Sequence, residues 1–287
     1  LGITEFFGLP GDYNFNILYA IEDNEQAKWI GCSNELNAGY VADGYARVKG
    51  YGAVVTTFGV GELSAMNAIA GSYAENIPVI HIVGVPTTNN IENKTLLHHN
   101  FQHPDYYAFE KAFEPVVEST AFLTKENAKS EIDRIINVFK TTKRPVYLAI
   151  PMDITELEID SMQEVKTVQS DKKNLDEFID KATAMINASK SPVIIGDTLI
   201  KRFLAEDEYR TFAEKTCIPA SNLLMGAGII DFDTPNYLGT FLGKFGNETA
   251  YKYLTETDCA IFVGPIYSDL NSFGFALPYK PDEQIAI

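Results

Sequence analysis

Cysteine is scarce in this sequence and has no pattern. Cys32, Cys217 and Cys259 are odd in number and far apart, with no CxxC or Cys/His metal spacing. Neither a disulfide framework nor a structural zinc is supported, and buried free thiols are the expectation. Positive charge is in deficit. The 23 Lys and Arg stand against 39 Asp and Glu, a net charge of −16 with a pI near 4.6. Such a surface repels phosphate backbones and anionic lipid, so neither nucleic acid nor a membrane is expected as a partner. No apolar run reaches the roughly 20 residues of a membrane-spanning helix. No signal peptide is visible, and with reduced thiols this points to the cytoplasm. The glycosylation-type triplets at Asn93, Asn187 and Asn247 are then read as chance matches. The chain opens on Leu1 rather than Met, and Gln284–Ile287 reads as a strand just starting, so both ends look cut. Nucleotide signatures are missing too. Gly59-Val60-Gly61 has no third glycine for a dinucleotide fingerprint, and no Lys-Ser/Thr follows as in a P-loop.

What is present is an ordinary globular composition, 46% hydrophobic and 22% charged, in a length that suggests two domains. Strand–turn–helix units repeat along the first half. Strands are expected at Thr4–Leu9, Lys28–Ile30, Ala53–Thr57, Val79–Val83, Phe113–Glu118 and Pro145–Ile150. Helices are expected beyond Asp12, at Glu35–Lys49, at Glu62–Tyr73 and at Lys125–Lys140. Pro86–Asp105 has no clear period and carries three of the four histidines. Residues 152–173 read as a polar surface linker. The rhythm then resumes, with helices at Leu175–Ala188, Phe203–Thr216 and Glu248–Thr255 and strands at Pro192–Gly196, Ile218–Asn222 and Cys259–Gly264. The fold class is therefore α/β, with two doubly wound parallel-sheet domains over 1–151 and 174–287. Ligands of such sheets bind at the carboxyl ends of the strands. Pro10-Gly11-Asp12, Glu35, Gly59-Val60-Gly61 and the segment from Pro86 onward all fall at such ends.

Glu35 opens a helix, where its carboxylate is favoured by the dipole and the unpaired N–H groups. Taken alone it could simply decorate that terminus. Gly59-Val60-Gly61 reads as a tight turn bringing backbone close to a flat ligand, or as a plain strand-to-helix turn. Asp12 could be an ordinary turn aspartate. His98 and His99 are adjacent, so their side chains are expected to point in different directions. The ordinary pKa of histidine suits proton transfer near neutral pH.

These residues keep company. The segments Phe7–Asp12, Gly31–Ala38, Asp43–Arg47, Thr56–Ser64, Ala70–Glu75 and Leu96–His99 closely resemble, in order and spacing, the thiamine-diphosphate-dependent 2-oxo-acid decarboxylases. These are the pyruvate, indolepyruvate and branched-chain oxo-acid decarboxylases. The resemblance spans essentially the whole chain and is strongest from Phe7 to His99. It implies that residues 1–151 are the pyrimidine-binding domain and 174–287 a central domain truncated at its end. It implies non-oxidative decarboxylation of a 2-oxo acid to an aldehyde and carbon dioxide. Losing carbon dioxide leaves an acyl carbanion that no side chain can delocalise, and thiamine diphosphate is the electron sink. By the same resemblance Glu35 is the cofactor-activating carboxylate, in a dry cleft that raises its pKa. Pro10, Gly11 and Val60 join it in contacting the cofactor. Asp12, His98 and His99 form the proton relay. Mg²⁺ and the diphosphate belong to a third domain outside this chain, so no metal ligand is expected here, and this piece alone is expected to be inactive. Assembly as a homodimer or homotetramer is implied. Asn100–Asp105 departs from the family turn, and His103 receives no role. The alternatives are a non-catalytic or regulatory binding protein of the same fold, and a carboligase, against which the histidine pair counts.

Overall fold

The computed structural model describes residues 1–160, 169–277 and 281–287. The chain divides into two compact units, Leu1–Val168 and Gln169–Ile287. Part of the expected linker, residues 161–168, lies outside the described residues.

In the first unit the order is β1 (Glu5–Gly8), α1 (Phe15–Glu22), β2 (Lys28–Gly31), α2 (Glu35–Lys49), β3 (Gly52–Thr57), α3 (Val60–Ala74), β4 (Val79–Val85), α4 (Thr88–Glu92), α5 (Ala108–Phe113), β5 (Ser119–Phe122), α6 (Ala128–Thr142) and β6 (Val146–Pro151). All six strands are parallel, in the order β2-β1-β3-β4-β6-β5. The chain steps outward from β1 to β2 and returns to the other side of β1 at β3. The switch point therefore lies between β1 and β3. Strand β3 is buried along its whole length, and its pleat feeds both faces of the sheet. Val54 packs with Ala38, Ala42, Ala46 and Ile69 of α2 and α3. Ala53 packs with Ile135, Ile136 and Phe139 of α6, and Val55 with Ile17, Leu18 and Ile21 of α1. Helices cover both faces, as a parallel sheet requires.

Helix α2 starts and stops where its chemistry dictates. The Asn34 side chain accepts from the Asn37 N–H at 2.8 Å. Gly50 closes the helix in the left-handed region with φ +91°. Helices α2 and α3 touch closely because a Cβ on Gly39 would stand 2.6 Å from that of Ala68. Buried Asp43 ties the pair together. It accepts from Arg47 Nε at 2.6 Å and from Ser72 Oγ at 2.8 Å, while Arg47 also reaches Glu75 at 2.6 Å. The Asp43–Arg47 and Ala70–Glu75 segments thus carry a packing role.

The second unit runs α7 (Lys172–Ala188), β7 (Pro192–Gly196), α8 (Leu199–Arg202), α9 (Glu206–Thr216), β8 (Ala220–Asn222), β9 (Tyr237–Thr240), α10 (Glu248–Glu256), β10 (Cys259–Val263) and β11 (Gln284–Ala286). Its five strands are parallel in the order β11-β10-β7-β8-β9. Ile194 and Ile261 face Tyr209 and Ala213 of α9, while Val193, Ile195 and Phe262 face Leu254 of α10.

Several expectations need correction. Phe113–Glu118 is not a strand: α5 ends at Phe113, a 3-10 turn spans Glu114–Val116, and the strand begins at Ser119. Pro115 sits early in that turn, where its missing N–H costs nothing. Helix α6 starts at Ala128 rather than Lys125, after Thr124 and Asn127 bond each other's side chains and backbone. The helix expected from Phe203 begins only at Glu206: Phe203 ends a short helix over Leu199–Arg202, and Leu204 takes φ +56° between the two. Helix α3 begins at Val60, so Val60 is its first residue rather than part of a free turn. Helix α7 begins two residues before Asn174, capped by Asp171. Cys217 is exposed, Cys32 half-buried and Cys259 buried, so the expectation of buried thiols holds only in part.

Candidate functional site

The turn after β1 is built by a residue that no motif or period singles out. Asn14, fully buried, donates to the Leu9 carbonyl at 3.0 Å and accepts from the Gly11 N–H at 2.9 Å. This folds Pro10–Asp12 over the carboxyl end of the sheet. Gly11 is obligatory there, because a Cβ would stand 2.5 Å from that of Thr57. Thr57 ends β3 and also blocks any side chain at Gly61, whose Cβ would lie 2.8 Å from its methyl.

Across the switch point, β3 delivers Phe58, then Gly59 with φ +73° and ψ −105°, then Val60. A Cβ on Gly59 would stand 2.6 Å from the His99 carbonyl oxygen, so the turn and the histidine loop lie in contact. Glu35, brought in by the first turn of α2, faces the same turn: its Oε1 lies 3.1 Å from where a Cβ of Gly61 would be. The carboxylate makes no hydrogen bond among the described residues. Within this chain Glu35 is half-buried, so the dry cleft expected around it is not formed by these residues alone. Val60 is 58% exposed beside it, an apolar side chain turned outward.

The histidine loop converges on Asp12. His98 Nε2 lies 2.6 Å from Asp12 Oδ2, and His98 Nδ1 lies 3.2 Å from the Tyr13 hydroxyl. With Tyr13 donating to Nδ1, the Nε2–H donates to Asp12, which fixes the tautomer of neutral His98. Tyr13 is buried, and burial with the Asp12 charge nearby pushes its phenol up to about 12, so it remains a donor. Its ring stacks on His98 with centroids 5.1 Å apart. His99 takes φ +66°, which swings its ring back toward its neighbour. The two imidazoles meet edge to face at 4.6 Å, so adjacency separates their planes but not their positions. His99 Nδ1 and Thr57 Oγ1 are buried without a partner. Asp12, His98 and His99 bring donor atoms within 4.8 Å of one another, a set that could also hold a divalent cation. His103 is exposed and apart from this group.

One carboxyl in this region escaped the sequence reading. Glu62 is fully buried, and burial raises it to about 7. Its position, third in α3, looks like an ordinary cap. A glycine–x–x–glutamate spacing before a helix is the only signal that could have found it.

Glu35, Asp12, His98, His99, Pro10, Gly11 and Val60 thus all belong to the turns at the carboxyl ends of β1 to β4. Residues 1–109 match the family described as thiamine pyrophosphate enzyme, N-terminal TPP binding domain, and residues 179–287 match thiamine pyrophosphate enzyme, central domain. Pyruvate decarboxylase isozyme 1 of Saccharomyces cerevisiae is 37% identical over 286 residues, covering 98% of this chain and 51% of that protein. Pyruvate decarboxylase of Kluyveromyces lactis is 37% identical over 284 residues, covering 97% of the chain and 50% of that protein. Alpha-keto-acid decarboxylase of Mycobacterium leprae is 36% identical over 290 residues, covering 100% and 51%. The chain spans about half the length of these relatives. It belongs to the thiamine pyrophosphate enzymes and carries their N-terminal TPP-binding domain and central domain.

Proposed function

We propose that this chain supplies the cofactor-activating carboxylate and the proton relay of an enzyme that decarboxylates a 2-oxo acid to an aldehyde. The observation that carries this reading is convergence. Glu35, the Gly59–Gly61 turn and the Asp12–His98–His99 group meet around one switch point of a parallel sheet.

The residues fit thiamine diphosphate. A carboxylate with no internal partner stands beside a glycine cradle that any Cβ would fill, and next to it lie an exposed valine and an unpartnered buried hydroxyl, Thr57 Oγ1. Glu35, Pro10, Gly11 and Val60 would hold the pyrimidine half. When bound, the cofactor supplies the electron sink that decarboxylation needs. Glu35 would offer its carboxylate oxygens to the pyrimidine, reachable because Gly61 has no side chain. Asp12 Oδ2 keeps His98 oriented and favours a proton on Nε2. Tyr13 fixes the other ring nitrogen. His98 and His99 then deliver the proton that turns the decarboxylated fragment into an aldehyde.

In this reading the substrate is a 2-oxo acid of the pyruvate, indolepyruvate or branched-chain type; the named relatives are a pyruvate decarboxylase from each of two yeasts and an alpha-keto-acid decarboxylase. Mg²⁺ and the diphosphate are held outside this chain, and the protein works in the cytoplasm as a homodimer or homotetramer. No described helix is long and apolar enough to cross a membrane. Residues 1–151 form the pyrimidine-side domain, 152–173 the linker and 174–287 the central domain. The test is turnover of these three classes of 2-oxo acid by the full-length protein with thiamine diphosphate and Mg²⁺. Carbon dioxide and aldehyde should appear together, and the 287-residue chain alone should release neither. Absence of both products from the full-length protein with every substrate would overturn the reading.

A further inference from the structure

Glu62 has no part in the scheme above, yet it is the buried carboxyl nearest the cofactor turn. It is fully buried at the third position of α3. One oxygen accepts from the Gly59 N–H at 2.7 Å, and the other from the Tyr147 hydroxyl at 2.7 Å. Tyr147 belongs to β6, is itself buried, and is wedged between Phe113 and His81. The other charged group facing Glu62 is Glu110 of α5.

A glutamate that only caps a helix can do so in water, without the cost of dehydrating its charge. Here the carboxyl is dehydrated, and its second oxygen is tied to a strand two places away in the sheet. The backbone it holds is the left-handed Gly59. That residue abuts the His99 carbonyl on one side, and on the other leads through Val60 to the Gly61 cradle facing Glu35.

We propose that Glu62 is a positioning residue: anchored on Tyr147, it fixes the Gly59 turn, and through that turn the places of Val60 and of the His99 backbone. What Val60 and His99 do for the reaction rests on the function proposed above. The mechanical coupling does not.

The experiment uses the full-length protein with Glu62→Ala, Glu62→Gln and Tyr147→Phe. Hydrogen exchange is first read without cofactor on peptides spanning Phe58–Leu63 and His98–Asn100. In Glu62→Ala the Gly59 amide should exchange roughly 10–100-fold faster, the effect of losing a bond to a carboxyl group, and the His98–Asn100 peptide should accelerate with it. Glu62→Gln should stay near wild type, because its amide oxygen can accept from Gly59 while its NH₂ donates to Tyr147. Tyr147→Phe removes only the anchor and should accelerate both peptides by a smaller factor. It decides the matter if the Ala variant does not fold. Next, with cofactor saturating, Glu62→Ala should lower kcat for aldehyde about tenfold or more, with KM changed by less than about threefold, and Gln should restore it. A lower melting temperature with unchanged exchange in the His98–Asn100 peptide overturns the coupling. So does a full kcat in a folded Ala variant. If the exchange results hold but the wild type turns over no 2-oxo acid, the functional reading fails while the placement of Glu62 stands.

Discussion

Converting Glu62 to Gln should remove a falling limb from the pH dependence of stability. In the folded chain this carboxyl is raised from its ordinary 4.5 to about 7 by burial, partly offset by the bonds from Tyr147 and Gly59. Between those two values the unfolded chain has released the proton and the folded chain still holds it. The contribution is therefore fully present below about pH 4.5 and is lost as pH rises through 7. At about 1.4 kcal/mol per pH unit the full effect is about 3 kcal/mol, of which about 2.5 falls between pH 5 and 8. That window stays above the pI of 4.6. His81 works in the opposite direction. Fully buried and held neutral, its pKa drops from 6.5 to about 3, so its contribution grows as pH rises from about 3 to 6.5. The raw curve therefore mixes the two, and the informative quantity is wild type minus Glu62→Gln, in which His81 cancels. Trp29, the sole tryptophan, lies in β2 and reports on the first unit alone. Urea titrations followed by its fluorescence should show the wild type losing about 2–3 kcal/mol relative to the variant from pH 5 to 8. With a slope near 2 kcal/mol per molar, that is about 1 M in midpoint. A difference that stays flat within about 0.5 kcal/mol would refute the assignment of a neutral, dehydrated Glu62.

Three further outcomes follow from the site. In the full-length protein His99→Ala should depress aldehyde release by about 10²–10⁴-fold if it donates the final proton. An artificial electron acceptor should then divert a larger share of product to the oxidised acid, and unchanged partitioning would make the histidines binding groups only. Asn14→Ala leaves the Leu9 carbonyl and Gly11 N–H without their partner and should cost about 1–3 kcal/mol on the Trp29 transition; a loss under about 0.5 kcal/mol would show that the turn after β1 holds itself. Gly59→Ala forces a left-handed φ on a residue with a Cβ, at about 1–3 kcal/mol, and drives that Cβ against the His99 carbonyl. Aldehyde formation should fall more than about tenfold, and normal activity would show that the turn and the histidine loop are not coupled.

Strands β1, β3, β4, β6, β7 and β10 were legible because buried parallel strands leave short β-branched runs bounded by glycine or proline. Helix α2 was legible at both ends, through the Asn34 cap and Gly50. Strand β9 was not: Tyr237-Leu238-Gly239-Thr240 sits at a sheet edge, half-buried throughout, and carries no apolar run. Helix α5 was not foreseen, because Phe109 and Phe113 show one buried face of a very short helix, too brief for a period to register, and the following strand was expected at Phe113 when it begins at Ser119. The convergence of Asp12 with His98 was not readable from periodicity, since 86 positions separate them and His99 must turn left-handed to join them. Only resemblance of the motifs placed them together. Glu62 was hidden for a different reason. Its burial is conferred by Tyr147, which lies 85 positions on in the sequence, and nothing local distinguishes it from a solvent-exposed cap.

In the function proposed above, Glu35 is the carboxylate that activates thiamine diphosphate. The most direct measurement is the rate at which the thiazolium proton of the bound cofactor exchanges with deuterium, compared between the full-length protein and its Glu35→Gln variant. The amide keeps the side chain's shape but cannot take or give that proton, so exchange in the variant should slow by orders of magnitude while the Trp29 unfolding transition is retained. Equal exchange rates in the two proteins would contradict the claim.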